Sequence, residues 1–442
     1  MAKDQQGLTL AGSKASAKAF DRAVADYYAL SGDPVGALKQ ALAIDPGFAL
    51  GGVAIAGLFM IGGFRSDHPE VAAALRAAET AIAGASARER LHLAAVRAWA
   101  AGRASEATLA WEAILTDWPT DALALRFGQD AYFFLGQSLA LRDSIARVLP
   151  AWDRDNPLTS FVLGAYAFGL EETGELGRAE DVGRDALTRN PRDAWAVHAM
   201  AHVFETANRQ EEGVAFLKET RPDWSPAHFM VGHNGWHLAL YLIEQGRTAA
   251  VLADYDRFVA PKLADDMTLD RIDAASLLWR LELAGVDVGD RWGSVAQAWM
   301  AHVDDHVLAF NDLHCAFAAA RSQDPCDVER LRRSLDDFER HGVGHNRQVT
   351  ADVGRVLIDG ALAFAGGDFR GAVETILPAR YEAFRIGGSH AQRDIVNLTL
   401  IAAAERSGQW RLARALLAER VAVRATALTK KQYEEAARRA AL

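Results

Sequence analysis

Apolar stretches of helical length alternate along the chain with short polar breaks, and the breaks share one make-up. A glycine is followed five residues later by alanine at Gly32/Ala37, Gly102/Ala107, Gly174/Ala179, Gly367/Ala372 and Gly408/Ala413. Gly246/Val251 and Asn208/Gly213 are close variants. This pattern predicts a helix that ends on a left-handed residue, which glycine and asparagine adopt at low cost. A second helix follows, and its early small residue lets two backbones approach. Prolines close several units. Gly102 to Pro119 and Gly174 to Pro191 have equal spacing, and Pro46 closes a shorter unit. The residue before a proline is pushed out of the helical region, so these positions stop the second helix.

Weaker turns near Gly63, Gly136, Gly285 and Asp324 bring the total to about eleven, at spacings of roughly 31 to 43 residues. That is close to the tetratricopeptide period of about 34 residues. The predicted fold is all-α: an α-solenoid of about eleven TPR-like helix–turn–helix repeats in a right-handed superhelix. No stretch rich in Pro, Gly or Ser interrupts it, so a single continuous domain over 1–442 is expected. Residues 1–190 read as generic repeats, 191–320 as a histidine-rich core, and 321–442 as C-terminal repeats with a capping helix. The apolar run from Phe48 to Phe64 holds several glycines and is too short for a good membrane span, so it reads as a buried helix. The alternating charges from Arg420 to Leu442 read as a solvated capping helix.

Composition narrows the partners. Half of the residues are hydrophobic, enough for a large core, and only 12 are proline. A net charge of −10 argues against nucleic acid as a partner, which calls for a basic stripe. Nothing reads as a membrane segment. The two cysteines, Cys315 and Cys326, form neither a disulfide framework nor a Cys-x-x-Cys knuckle. The polar N-terminus lacks an apolar signal core, so a cytoplasmic location is expected. No dinucleotide fingerprint, P-loop or nucleophile elbow occurs. Cys315 adjoins His314, but neighbours on a helix diverge by about 100°, which disfavours a Cys–His nucleophile.

The candidate chemistry lies in the histidines. Five of the 13 fall between His198 and His237. His198, His202 and Glu205 are spaced i, i+4, i+7 and share one helical face. His233 and His237 repeat the i, i+4 spacing. Measured back from their turns, His198, His237 and His314 occupy one level of their units' first helices, the helices that line the concave groove in tetratricopeptide arrays. Three readings fit these residues. Imidazoles at this spacing can hold a divalent metal such as zinc, with His198, His202, His233 and His237 as ligands. His202, Glu205 and His237 can instead move protons without metal. Or the rings are groove-lining side chains satisfied by neighbours. Trp236 walls the same region, and Asp273, His390, Gln392 and Arg393 are polar groups that could complete a pocket. The double glycine before Ser389 opens a helix whose amides could hold an anion, although Ser389 also reads as a simple N-cap.

The segments HAMAHVFETANRQEEGVAFL, HNGWHLALYLIEQG, DYDRF, DAASLLWRLELAG, NDLHCAFA and GGSHAQRD resemble the tetratricopeptide repeat protein 38 family, most strongly from Trp195 to Ala320. The resemblance implies a TPR-like array with signature positions at His198, His202, Glu205, His233, Asn234, His237, His314 and Gln392. It implies no particular chemistry. The leading functional reading is a protein that binds a peptide or small polar ligand in a histidine-rich concave groove. The alternative is an enzyme, a hydrolase or lyase acting on a small polar metabolite through His198, His202, Glu205, His233 and His237. An exposed face on the end repeats would offer a route to homo-oligomers.

Overall fold

The computed structural model describes residues 2–441. Apart from a short antiparallel pairing of Ala2–Lys3 with Thr9–Leu10, the described residues form helices and their connections. The turns explain why. Gly102, Gly136, Gly174, Gly246, Gly367 and Gly408 all have positive φ, and so does Asn208, at 61°. Each is the left-handed residue of a Schellman motif. At Gly102, for example, the Gly102 amide donates to the Trp99 carbonyl at 2.7 Å and the Arg103 amide to Ala98 at 2.8 Å. These bonds satisfy carbonyls that the helix end would otherwise leave open. The next helix then starts two residues later, at Ala104, Ser138, Leu176, Thr248, Phe369, Trp410 and Gln210 respectively. The small residue five positions on is buried at Ala107, Ala179, Val251, Ala372 and Ala413. The turn at Asp324 is built differently: its side chain accepts the Cys326 amide, and no left-handed residue is used.

Gly174 isolates the backbone term, because a Cβ there would meet nothing within 4 Å. Gly174→Ala is expected to cost about 1–2 kcal/mol from the left-handed conformation alone. Gly174→Asn should cost less. Urea unfolding of the two variants checks this, and equal stability of wild type and the alanine variant would refute it.

The chain forms two compact units. One comprises residues 1–199, 222–231 and 343–345; the other comprises 200–221, 232–342 and 346–442. In the first unit, sequential helices pack as antiparallel neighbours, such as Ala87–Ala100 with Ala104–Asp117 and Thr159–Glu172 with Leu176–Arg189. Next-but-one helices also meet, as Ala49–Ile61 does with Ala87–Ala100. Ala49–Ile61, within the predicted apolar run, is buried along nearly its whole length. This pairwise, stacked packing is that of an α-helical repeat protein.

The second unit repeats the scheme and then returns on itself. Helix His390–Arg406 packs on Thr268–Leu283, with the Trp279 indole donating to the Thr399 hydroxyl at 2.9 Å. Residues separated by more than 180 positions thereby meet in one polar centre. Among the described residues, no helix is long and apolar enough to cross a membrane.

Candidate metal centre and charged cleft

Helix Ala194–Thr206 begins on Asp193, whose carboxylate accepts the amides of Trp195 and Ala196. It ends on the Asn208 Schellman turn, and between these stops His198, His202 and Glu205 share one face. Helix Val231–Glu244 lies close against its second half. The Tyr241 hydroxyl donates to the Ala201 carbonyl at 2.5 Å. Gly213 makes room for that tyrosine, since a Cβ there would sit 2.6 Å from the ring. The pairing brings the His202 and His237 rings to 4.5 Å, edge to face. His198 stands one turn before His202 on the same helix, and all three side chains are buried.

The electrostatics suit a cation. Burial, the neighbouring His202 and then His233 push the His237 pKa down to about 3, so its ring is neutral and keeps a lone pair. His233 stacks on Trp236 and meets His237 edge to face at 5.0 Å. Its Nδ1 donates to both Asp273 oxygens, at 2.9 and 3.0 Å. That bond fixes the ring's orientation, the usual role of a carboxylate behind a metal-binding histidine. Burial raises the Asp273 carboxyl pKa, with His233 opposing. Asp270, Arg271 and Asp273 lie inside the first turns of Thr268–Leu283, where acidic groups suit the helix dipole.

Glu205 is held from the other side. Arg424 Nη1 lies 2.5 Å from Glu205 Oε1, and His237 Nδ1 lies 3.5 Å from Oε2. Burial would raise the Glu205 pKa, but Arg424, His237 and His202 together bring it well below the ordinary range. Arg424 also contacts Glu244 at 3.0 Å, and Arg420 bridges Glu244 and Asp394. The solvated face expected for 420–442 therefore does not begin at once. Arg420 and Arg424 are largely buried among carboxylates, while Ala427–Ala440 carries the exposed charges. A cleft of about 720 Å³, open solvent included, runs past this network and is walled by leucines and isoleucines.

The remaining predicted residues separate into two sets. His390 joins the centre: its Nε2 lies 2.9 Å from the Thr206 hydroxyl and its ring 5.5 Å from that of His202. Trp236 and Asn234 are buried on the helix that carries His233 and His237. His314 stands apart, with Nδ1 bonded to the Phe310 carbonyl and its ring between Phe310 and Phe317. Burial lowers its pKa to about 3. Gln392 forms a capping box with Ser389, and Arg393 donates to the carbonyls of Gly387 and Gly388. The double glycine thus serves a helix cap. Sequence spacing missed Arg280, Glu244, Asp394, Arg420 and Arg424, which stand in no common motif. No known protein family model matches the chain.

Proposed function

We propose that the chain is a metal-dependent enzyme of tetratricopeptide type, with a divalent ion held by His202 and His237 and with His233 as a neighbouring imidazole. The observation that carries this reading is the buried row of imidazoles in the second unit, His202 4.5 Å from His237 and His237 5.0 Å from His233. Peptide capture in an open groove needs exposed rings, and these have 2 %, 0 % and 0 % of their surface accessible for His198, His202 and His237. Bound there, a divalent ion would act as a Lewis acid and lower the pKa of a coordinated water toward about 7. The protein's own groups have defined tasks. His233, aligned by Asp273, is a further ligand or proton acceptor. Glu205, kept ionised by Arg424, orients His237 and adds negative charge beside the cation. His390 borders the same space. The substrate class is a small polar metabolite, and hydrolysis or elimination is the matching chemistry.

The rest of the reading follows the repeat signal: about eleven repeats in a right-handed superhelix, continuous over 1–442, in the manner of the tetratricopeptide repeat protein 38 family, in the cytoplasm. The array accounts for the first-helix placement of His198, His202 and His237.

The test is metal content by plasma mass spectrometry on purified, untagged protein. About one divalent ion per chain is expected, with at least a tenfold loss of affinity in His202→Ala and in His237→Ala. Circular dichroism confirms that both variants fold. A wild-type chain that holds no zinc, manganese, iron, cobalt or nickel, even after loading, would end the metal reading.

A further inference from the structure

The 3₁₀-helix Ala260–Asp265 ends on Asp266, a non-glycine residue in the left-handed region with φ of 53°. Residues other than glycine and asparagine hold that conformation chiefly where neighbours over-determine it. Two side chains do so here. Arg271, in the first turn of Thr268–Leu283, donates from Nη1 to the Asp266 carbonyl at 3.0 Å and to its carboxylate at 2.5 Å. His302 donates from Nε2 to the same carboxylate at 2.9 Å and from Nδ1 to Asp305 at 2.7 Å.

Hydrogen counting fixes the state of His302. An ionised carboxylate only accepts, and a neutral imidazole carries a single N–H. Both bonds therefore form together only in the imidazolium ion. The charged groups that face the ring are Asp305 on its own connector, 301–308, Asp266 at the end of the 3₁₀-helix, and Arg271 on the following helix. The bond to Asp305, then that to Asp266, raises the His302 pKa above the ordinary 6.5, while partial burial and Arg271 oppose. The folded pKa is the raised one, so both bonds are complete below 6.5, and one is lost as pH rises through the shifted value. The proton that stays belongs on Nδ1, because Asp305 is the nearer partner and Asp266 is 65 % exposed.

The connector does not need His302 to hold its place. Just before it, the Trp299 indole donates to the Arg271 carbonyl at 3.1 Å. At its far end, Asn346 donates to the His306 carbonyl at 2.6 Å and accepts the Ala309 amide at 2.9 Å. The 3₁₀-helix has less to hold it: Lys262 pairs with Asp265 inside the same turn. Lys262 and Asp265 act on the Asp270 carboxyl together with Asp273 and His233, so this turn borders the His233 end of the imidazole row.

We propose that residues 260–266 form a pH-gated flap, latched to the 301–308 connector by protonated His302 and released as that ring becomes neutral. Alkaline conditions then loosen the border of the His233–Asp273 pair. The latch needs no metal and stands apart from the metal reading.

Hydrogen–deuterium exchange of the full chain tests it, read by mass spectrometry at about pH 6 and about pH 9 and corrected for intrinsic exchange. Protection over 255–267 is expected to fall at least about threefold between the two, while that over 309–319 stays constant. His302→Gln, which carries no charge, should show the lower protection at both. Asp270, pushed up to about 7 by burial and Asp273, titrates in the same interval. A pH-dependent loss that persists in His302→Gln would belong to Asp270 and overturn the latch, as would constant protection in the wild type. Asp305→Asn gives a second readout should the glutamine variant fail to fold. Its amide can donate to Nδ1 and leave the Nε2 hydrogen on Asp266, so protection should be retained at about pH 9. A loss as large as that of the wild type would overturn the proposal.

Discussion

Arg424→Met is expected to destabilise the second unit by about 3–5 kcal/mol, the cost of stripping a buried carboxylate of its partner. Glu205 is 3 % exposed and has Arg424 at 2.5 Å as its close cationic contact. Glu244 loses a 3.0 Å contact in the same step. Burial disfavours the Arg424 charge, but Glu205, Asp394 and Glu244 outweigh it, so its pKa is raised. The pairing is mutual, and removing one member strands the others. Urea unfolding followed by tryptophan fluorescence reads the loss, because Trp236, Trp279, Trp292 and Trp299 are all buried in this unit. The double variant Glu205→Gln/Arg424→Met should recover part of it, since it removes the stranded charge. A loss below about 1 kcal/mol would mean that the network behaves like a surface ion pair.

Gly169→Ala and Gly177→Ala should change stability in opposite directions. Each lies in a helix, Thr159–Glu172 and Leu176–Arg189 respectively. Alanine in a helix ordinarily gains up to about 1 kcal/mol over glycine. At Gly177 a Cβ would meet nothing within 4 Å, so the gain should appear. At Gly169 it would stand 2.7 Å from the Arg142 amide nitrogen and 2.8 Å from its Cα. Those atoms belong to the backbone of helix Ser138–Val148 and cannot rotate away. Helix separation must grow, and a net loss of about 1–3 kcal/mol is expected from the strain. Thermal melts of both variants check the pair, and a stabilised Gly169→Ala would show that the two helices yield easily.

Local signals carried most of the fold. Gly102, Gly174, Gly246 and Gly408 were legible as turns because a left-handed C-terminal cap is a one-residue requirement. His198, His202 and Glu205 were legible as one face because helical periodicity is equally local. The partners of that face were another matter. Arg424 stands 219 positions from Glu205, and Arg280 stands 111 from the Ala391 carbonyl it binds. Nothing in the spacing of either arginine marks it. They reach the centre because the second unit returns on itself, a tertiary event without a local signature. Gln392 shows the converse. Its position beside a double glycine suggested ligand binding, whereas a serine three residues earlier made it half of a cap. His314 shared the level of His198 and His237, yet it spends Nδ1 on its own helix. Level along a helix does not fix direction around it.

The Schellman turns also confine the effects of length variation. Each stop is closed by bonds among its own six residues, so the following helix takes its start from the turn and not from the end of an earlier helix. The second helix thus leaves each turn at the same offset, two residues on, whether it then runs for 7 residues, as in Thr248–Asp254, or for 14, as in Leu176–Arg189. A change in where a first helix begins leaves the departure of its second helix untouched.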